Sequence, residues 1–362
     1  MSDDRARRLT VVREKLLEAH LDGLLLSSIP NVRFLTGFSG SNALLFVSQS
    51  DALLLTDFRY QSQAAEQIGE AARVRIESAS LWEGLWAELA AMSGIDTVGF
   101  ESAHLLHRDF QRLLEAGSRW HWRPTSDLIE AVRERKEPVE VERIRTAASI
   151  ATRALGATLP EIRPGLTELE VNGLLEHHLR DQGTEAHPFA AIVASGPRSA
   201  LPHAQAGNRT IALGDFLLLD FGATAEGYCS DITRTVVIGR ASDRQREIYS
   251  AVREANEVAR ARVRAGLLGR EADAIARDVL ASRGLGDAFG HGLGHGLGLE
   301  VHEAPRLSRI SDALLPEDAV VTIEPGVYIP GWGGVRIEDD VHLGAAGAVV
   351  LTEFPRDLLE LT

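Results

Sequence analysis

The chain has 362 residues, more than one hydrophobic core commonly serves, so two domains are expected. Its 44% hydrophobic and 25% charged residues are those of an ordinary globular protein, and a net charge of −14 argues against nucleic acid or an anionic membrane as partner. The single Cys229 allows no internal disulfide, the start MSDDRARRLT lacks a signal-peptide core, and no apolar run reaches the ~18 residues of a membrane span, which together point to a cytoplasmic protein.

Leu9, Val12, Leu16 and Leu17 keep helical spacing, and GLLLSS after them reads as a short buried strand. The stretch NVRFLTGFSGSNALLFVSQSDALLLTDFRY holds two apolar runs joined by SQSD, a hairpin pattern, with a helix following through Ala64 and Ala65. VRIESA then reads as strand, LWEGLWAELAAM as helix, TVGF as strand and HRDFQRLLEAG as helix, which makes a small α/β domain. The charged EAVRERKEPVEVERIR has no apolar face until Val139, so the first domain is placed at 1–133 and the second at 134–362. Pro138 fits the first turn of a helix over 138–158, and a second helix is expected from Thr167 to Gln182. GLTELEVNGLLEHHLRDQG and GLLGREADAIARDVLASRG share G-L-x3-E-x8-L-x3-G at Gly165 and Gly266, which suggests two similar halves.

Acids in apolar settings carry the chemical signal. In LLLDFGATAEGYCSDITRTVVIG, Asp220 closes one strand and Asp231 is expected in the next, on a face shared with Cys229 and Thr233. A hairpin would set the two carboxylates side by side, where their repulsion calls for a cation. Glu324 ends the apolar run of VVTIEPGVYIPG, and Glu338 follows Val335 and Ile337 in GGVRIEDDVHL. A glycine-rich run, FGHGLGHGLGLEVHE, supplies His291, His295 and His302 and has no G-x-G-x-x-G nucleotide loop. Four carboxylates and one neutral imidazole balance two divalent cations, and oxygen-rich ligation without thiolate suits manganese, cobalt, iron or zinc. Such a pair lowers the pKa of water and polarises a carbonyl, chemistry suited to amide hydrolysis.

The ordered set D-F-G-x6-C-S-D, G-H-G-L-G-L-E-V-H-E, T-I-E-P-G-V-Y-I and G-V-R-I-E-D-D resembles the pita-bread metallopeptidases that cleave Xaa-Pro bonds, aminopeptidase P and prolidase. NVRFLTGFSGSNALLFV and TDFRY are similar to the creatinase-type N-terminal domain of that group. The resemblance implies an α/β (α+β) chain with that domain before a pita-bread catalytic domain of pseudo-twofold repeat. It makes Asp220, Asp231, His295, Glu324 and Glu338 the ligands of two metal ions, manganese foremost and cobalt or zinc next, with Asp231 and Glu338 bridging. Glu324 would also accept the proton of the attacking water, while His203 in SALPHA and His302 would contact substrate and stabilise the tetrahedral intermediate. His291 matches a pocket histidine, Tyr328 and Arg336 match groups that orient ligands, and a homodimer is implied.

The activity expected is release of the residue before proline from Xaa-Pro-peptides. The alternative is a prolidase restricted to dipeptides, whose carboxylate Arg306 in HEAPRLS, or Arg33 or Arg59 of the first domain, would hold. A metal-free creatinase-like hydrolase is disfavoured by the full ligand set, and a methionine aminopeptidase by the N-terminal domain that precedes the catalytic one. A non-enzymatic peptide-binding module on the same fold remains as the reading of a different class.

Overall fold

The computed structural model describes residues 2–362, with side chains from residue 4, in two compact units that divide at Arg133 and Glu134. The first unit runs α1 (Ser2–Glu18), β1 (Gly23–Leu26), α2 (Ile29–Thr36), β2 (Ala43–Ser48), β3 (Ala52–Asp57), α3 (Gln61–Gln67) and β4 (Arg73–Glu77). It continues through α4 (Leu81–Ala91), β5 (Thr97–Glu101), α5 (His107–Glu115), β6 (His121–Thr125) and the short α6 (Glu130–Arg133). Its sheet has six strands in the order β4-β3-β2-β1-β5-β6, and β2 and β3 form the hairpin expected across SQSD. The sequence reading assigns neither α2, β6 nor the one-turn α6. Pro30 opens α2 where the amide it lacks would have no partner, and β6 carries Pro124 at the sheet edge, where a missing donor is tolerated.

The second unit repeats one plan. Its first half has α7 (Pro138–Thr158), α8 (Glu168–Asp181), β7 (Ile192–Ser195), β8 (Phe216–Phe221), the small β9 (Thr224–Ala225) and β10 (Tyr228–Cys229), then β11 (Ile232–Ile238). Its second half has α9 (Asp243–Arg262), α10 (Gly269–Ser282), β12 (Gly294–Gly296), β13 (Glu303–Leu307) and β14 (Val320–Ile323). It is completed by β15 (Gly326–Ile329), β16 (Gly333–Arg336), β17 (Asp339–Gly344), β18 (Gly347–Val350) and β19 (Glu360–Leu361). Two helices precede three antiparallel strands in each half, β7-β8-β11 and β12-β14-β17. The residue before the second helix also bridges a later strand-like segment in both, Thr167 to Thr210 and Leu268 to Leu314.

Alternation along the strands decides what each half presents. Leu217, Leu219 and Phe221 of β8 pack with Leu155, Val171 and Leu175 of α7 and α8, while Phe216 joins the core of the other half. Asp220 shares the parity of Phe216 and is thereby turned away from the first half's helices. In the second half Val321 and Ile323 pack with Val252 and Leu280, whereas Val320 joins Val141 and Ile144 of α7. Capping boxes at Thr167 with Glu170 and at Ser242 with Gln245 fix the starts of α8 and α9.

Candidate active site

The strand ends of the two halves deliver the acids in matching pairs. Asp220 lies in β8 and Glu324 directly after β14, while Asp231 directly precedes β11 and Glu338 directly precedes β17. Asp231 is therefore not a strand residue, as the sequence reading has it. The register sets Asp220 opposite Thr233, and the chain breaks regular pairing at Ser230 and Asp231. Cys229 is a packed thiol: its buried Sγ contacts the Leu299 carbonyl and lines no part of the cleft, and burial pushes its pKa up to about 12.

Ligand-type atoms of Asp231, His295 and Glu338 lie within 4.8 Å of one another, and His295 Nε2 is 3.6 Å from Glu324 Oε1. His295 turns Nδ1 to the Gly296 carbonyl at 3.0 Å, so the proton sits there and Nε2 faces the carboxylates with its lone pair. Burial holds this imidazole neutral, its pKa lowered to about 3. Burial first, then the neighbouring acids, raises the carboxyls of Asp231 and Glu324 far above their ordinary range and Glu338 to about 8. Asp220 Oδ1 and Asp231 Oδ1 are buried without a hydrogen-bond partner. Crowded buried acids, orphaned oxygens and one imidazole lone pair fit hard or borderline divalent cations.

Neighbouring side chains fix the orientation of these groups. Arg336, buried, donates Nη2 to Asp220 Oδ2, Nε to Thr233 Oγ1 at 3.0 Å and Nη1 to Tyr328 Oη at 2.7 Å. The Thr233 hydroxyl donates in turn to Glu338 Oε2 at 2.5 Å. His291 donates Nδ1 to the Gly292 carbonyl at 2.8 Å and accepts the Tyr328 hydroxyl on Nε2 at 2.9 Å, so both ring nitrogens are engaged. Glycines on either side of His295 answer a packing need. A Cβ at Gly294 would overlap the Thr322 carbonyl and one at Gly296 the Ala304 carbonyl, because β14 and β13 flank β12 closely.

A cleft of about 790 Å³ opens over this cluster and is lined by Asp220, Asp231, Glu324 and Glu338 together with His203, His291, His295, His302, Arg306 and Arg336. His302 stacks edge-on against His295 with ring centroids 4.4 Å apart. Arg306 is exposed and, among the described residues, its side chain has no ion-pair or hydrogen-bond partner. Tyr328 supports the cleft through His291 and Arg336 without lining it. Arg33 and Arg59 belong to the first unit, where Arg59 pairs with Asp57 at 2.8 Å.

A family model described as metallopeptidase family M24 matches residues 142–345, more than half of the chain. The chain belongs to metallopeptidase family M24. A further model, the creatinase/prolidase N-terminal domain, matches residues 8–135. The M24 chain is 36% identical to a Xaa-Pro dipeptidase of Pyrococcus horikoshii over 94% of its own length and 95% of the relative's. A solved structure titled Xaa-Pro dipeptidase from Bacillus anthracis matches with TM-score 0.95 at 40% identity, covering 99% of this chain and 100% of that one. The X-Pro aminopeptidase structure from Thermotoga maritima matches with TM-score 0.90 at 37% identity, covering 97% and 99%. This M24 chain is a metallopeptidase, and its relatives divide between dipeptidase and aminopeptidase.

Several residues of the M24 site escape the sequence reading. Asp340 accepts the backbone N–H of Asp231 at 3.0 Å and keeps its Oδ1 buried without a partner, so it braces the segment that carries a candidate ligand. Asp273 of α10 accepts the Leu293 amide at 3.0 Å and pairs with Arg277, which donates to the Phe289 and His291 carbonyls. Lys136 and Glu303, both buried at their side chains, pair at 3.1 Å beside His302. Of these, only Asp340 has a visible signal, the third consecutive acid in the apolar setting of RIEDDVHL.

Proposed function

We propose that the chain is a two-metal hydrolase that releases the first residue of peptides whose second residue is proline. The observation that carries the reading is the convergence of Asp220, Asp231, His295, Glu324 and Glu338 on one buried cluster beneath an open cleft. These five residues would hold two divalent ions, manganese foremost, with Asp231 and Glu338 shared between them. When bound, such ions lower the pKa of water toward about 7 and polarise the scissile carbonyl.

The protein's own groups supply the rest. Glu324, partly open to the cleft, takes the proton of the attacking water and returns it to the leaving proline nitrogen. His302 and His203, on the cleft wall, donate to the oxygen that gains charge as the carbonyl becomes tetrahedral. Arg336 and Thr233 hold Asp220 and Glu338 in place throughout. Proline suits this arrangement because its bond has no N–H to recognise, so binding relies on the ring's shape against apolar wall residues such as Phe189, Ile192 and Val301.

A second reading, a dipeptidase, is favoured by Arg306. An exposed guanidinium without a partner suits a free carboxylate adjoining the proline ring. The manganese-loaded protein, offered Xaa-Pro dipeptides and Xaa-Pro-Yaa tripeptides, decides between the two. Tripeptide cleavage supports the aminopeptidase, cleavage of dipeptides alone supports the dipeptidase, and cleavage of neither refutes the proposed function.

A further inference from the structure

We infer that Glu168 is a positioning residue that latches the loop carrying His203 over the cleft, an inference that rests on the role proposed above for that histidine. Glu168 is the first residue of α8 and is 0% exposed. Its Oε1 accepts the Ser195 amide and hydroxyl, both at 2.8 Å, and its Oε2 accepts Arg198 Nε at 3.0 Å and the Gly207 amide at 3.1 Å. One carboxylate thus ties together the two ends of the segment 196–206. Backbone bonds reinforce the closure, with the Glu168 amide donating to Arg209 and the Leu169 amide to Gly207, each at 3.1 Å. Arg198 also donates Nη2 to the Gln205 carbonyl at 2.5 Å, which cinches the loop from within.

Capping of α8 does not account for Glu168, since the reciprocal pair Thr167 and Glu170 already serves that end. His203 makes no side-chain hydrogen bond among the described residues, so its place on the cleft wall depends on the loop's backbone. A buried charge with its full complement of donors on that loop defines such a backbone position, and replacing one of its oxygens leaves buried donors unpaired. Glu168 touches no reacting group and acts through the loop that carries His203.

The test is a double-mutant cycle of Glu168→Gln and His203→Ala in the metal-loaded protein, joined to hydrogen exchange without substrate. Glu168→Gln is expected to lower kcat roughly tenfold with KM little changed, at full metal content, and to add almost nothing in the His203→Ala background. Exchange of the amides over 196–207 should quicken in Glu168→Gln. If the variant does not fold, Arg198→Ala, at the partly exposed end of the latch, is read in the same way. Losses that multiply in the double variant, or exchange unchanged from wild type, overturn the inference. A wild-type protein that cleaves no Xaa-Pro peptide defeats the proposed function instead, and the exchange measurement still decides whether the latch exists.

Discussion

Arg336 donates Nη2 to Asp220 Oδ2, and the other oxygen of that carboxylate is buried without a partner. The guanidinium thereby fixes the carboxylate and leaves Oδ1 as its free donor to a cation. Arg336→Lys keeps a charge but loses the fork that also reaches Thr233 and Tyr328. Manganese affinity, read by titration calorimetry, should weaken about 10- to 100-fold. Unchanged affinity would show that the pairing does not prepare the site.

Ligands and substrate groups should separate by metal content. Asp231→Ala and His295→Ala remove members of the tight cluster and are expected to lose bound metal and activity together. His302→Ala, on the cleft wall, should keep its metal and lose about 10²–10³ in kcat, the range for removing one donor to a developing oxyanion. Elemental analysis beside kinetics distinguishes the two classes.

Acidic crowding sets a pH dependence for the metal-free protein. Glu338, raised to about 8, binds a proton in the native state that it releases when unfolded above its ordinary 4.5, so this group's stabilisation is lost as pH rises toward 8. Asp231 and Glu324 act in the same direction. His291 and His295, lowered to about 4 and 3, oppose this below their ordinary 6.5 and fall silent above it. Thermal stability of chelated protein should therefore decline from pH 6.5 to 8, with manganese restoring most at the upper end. A metal-free protein that gains stability across that window contradicts the electrostatic account.

Gly294 is predicted to be intolerant of a side chain for reasons of packing. Gly294→Ala drives its new methyl into the Thr322 carbonyl on β14 and should cost roughly 1–3 kcal/mol of stability, read from denaturant unfolding. Displaced with it, His295 should bind metal more weakly.

What the sequence discloses follows from how local the controlling forces are. Long amphipathic helices such as 138–158 and the β2–β3 hairpin announce themselves through periodicity, and the candidate ligands through acids set in apolar runs. β6, HWRPT, offers one large apolar side chain, Trp122, among polar neighbours, and becomes a strand where β5 gives it a parallel edge and the core receives that ring. Glu168 and Asp273 brace the site through partners 27 and 20 residues away, distances over which no local pattern reports.

The most direct test of the central claim is a titration of chelated protein with manganese while Xaa-Pro bond cleavage is followed. Activity should rise from zero and level off at two equivalents per chain, and Glu338→Gln, which alters a proposed shared ligand, should abolish the rise. Cleavage that persists in the chelated protein, or its absence at two bound equivalents, would contradict the account.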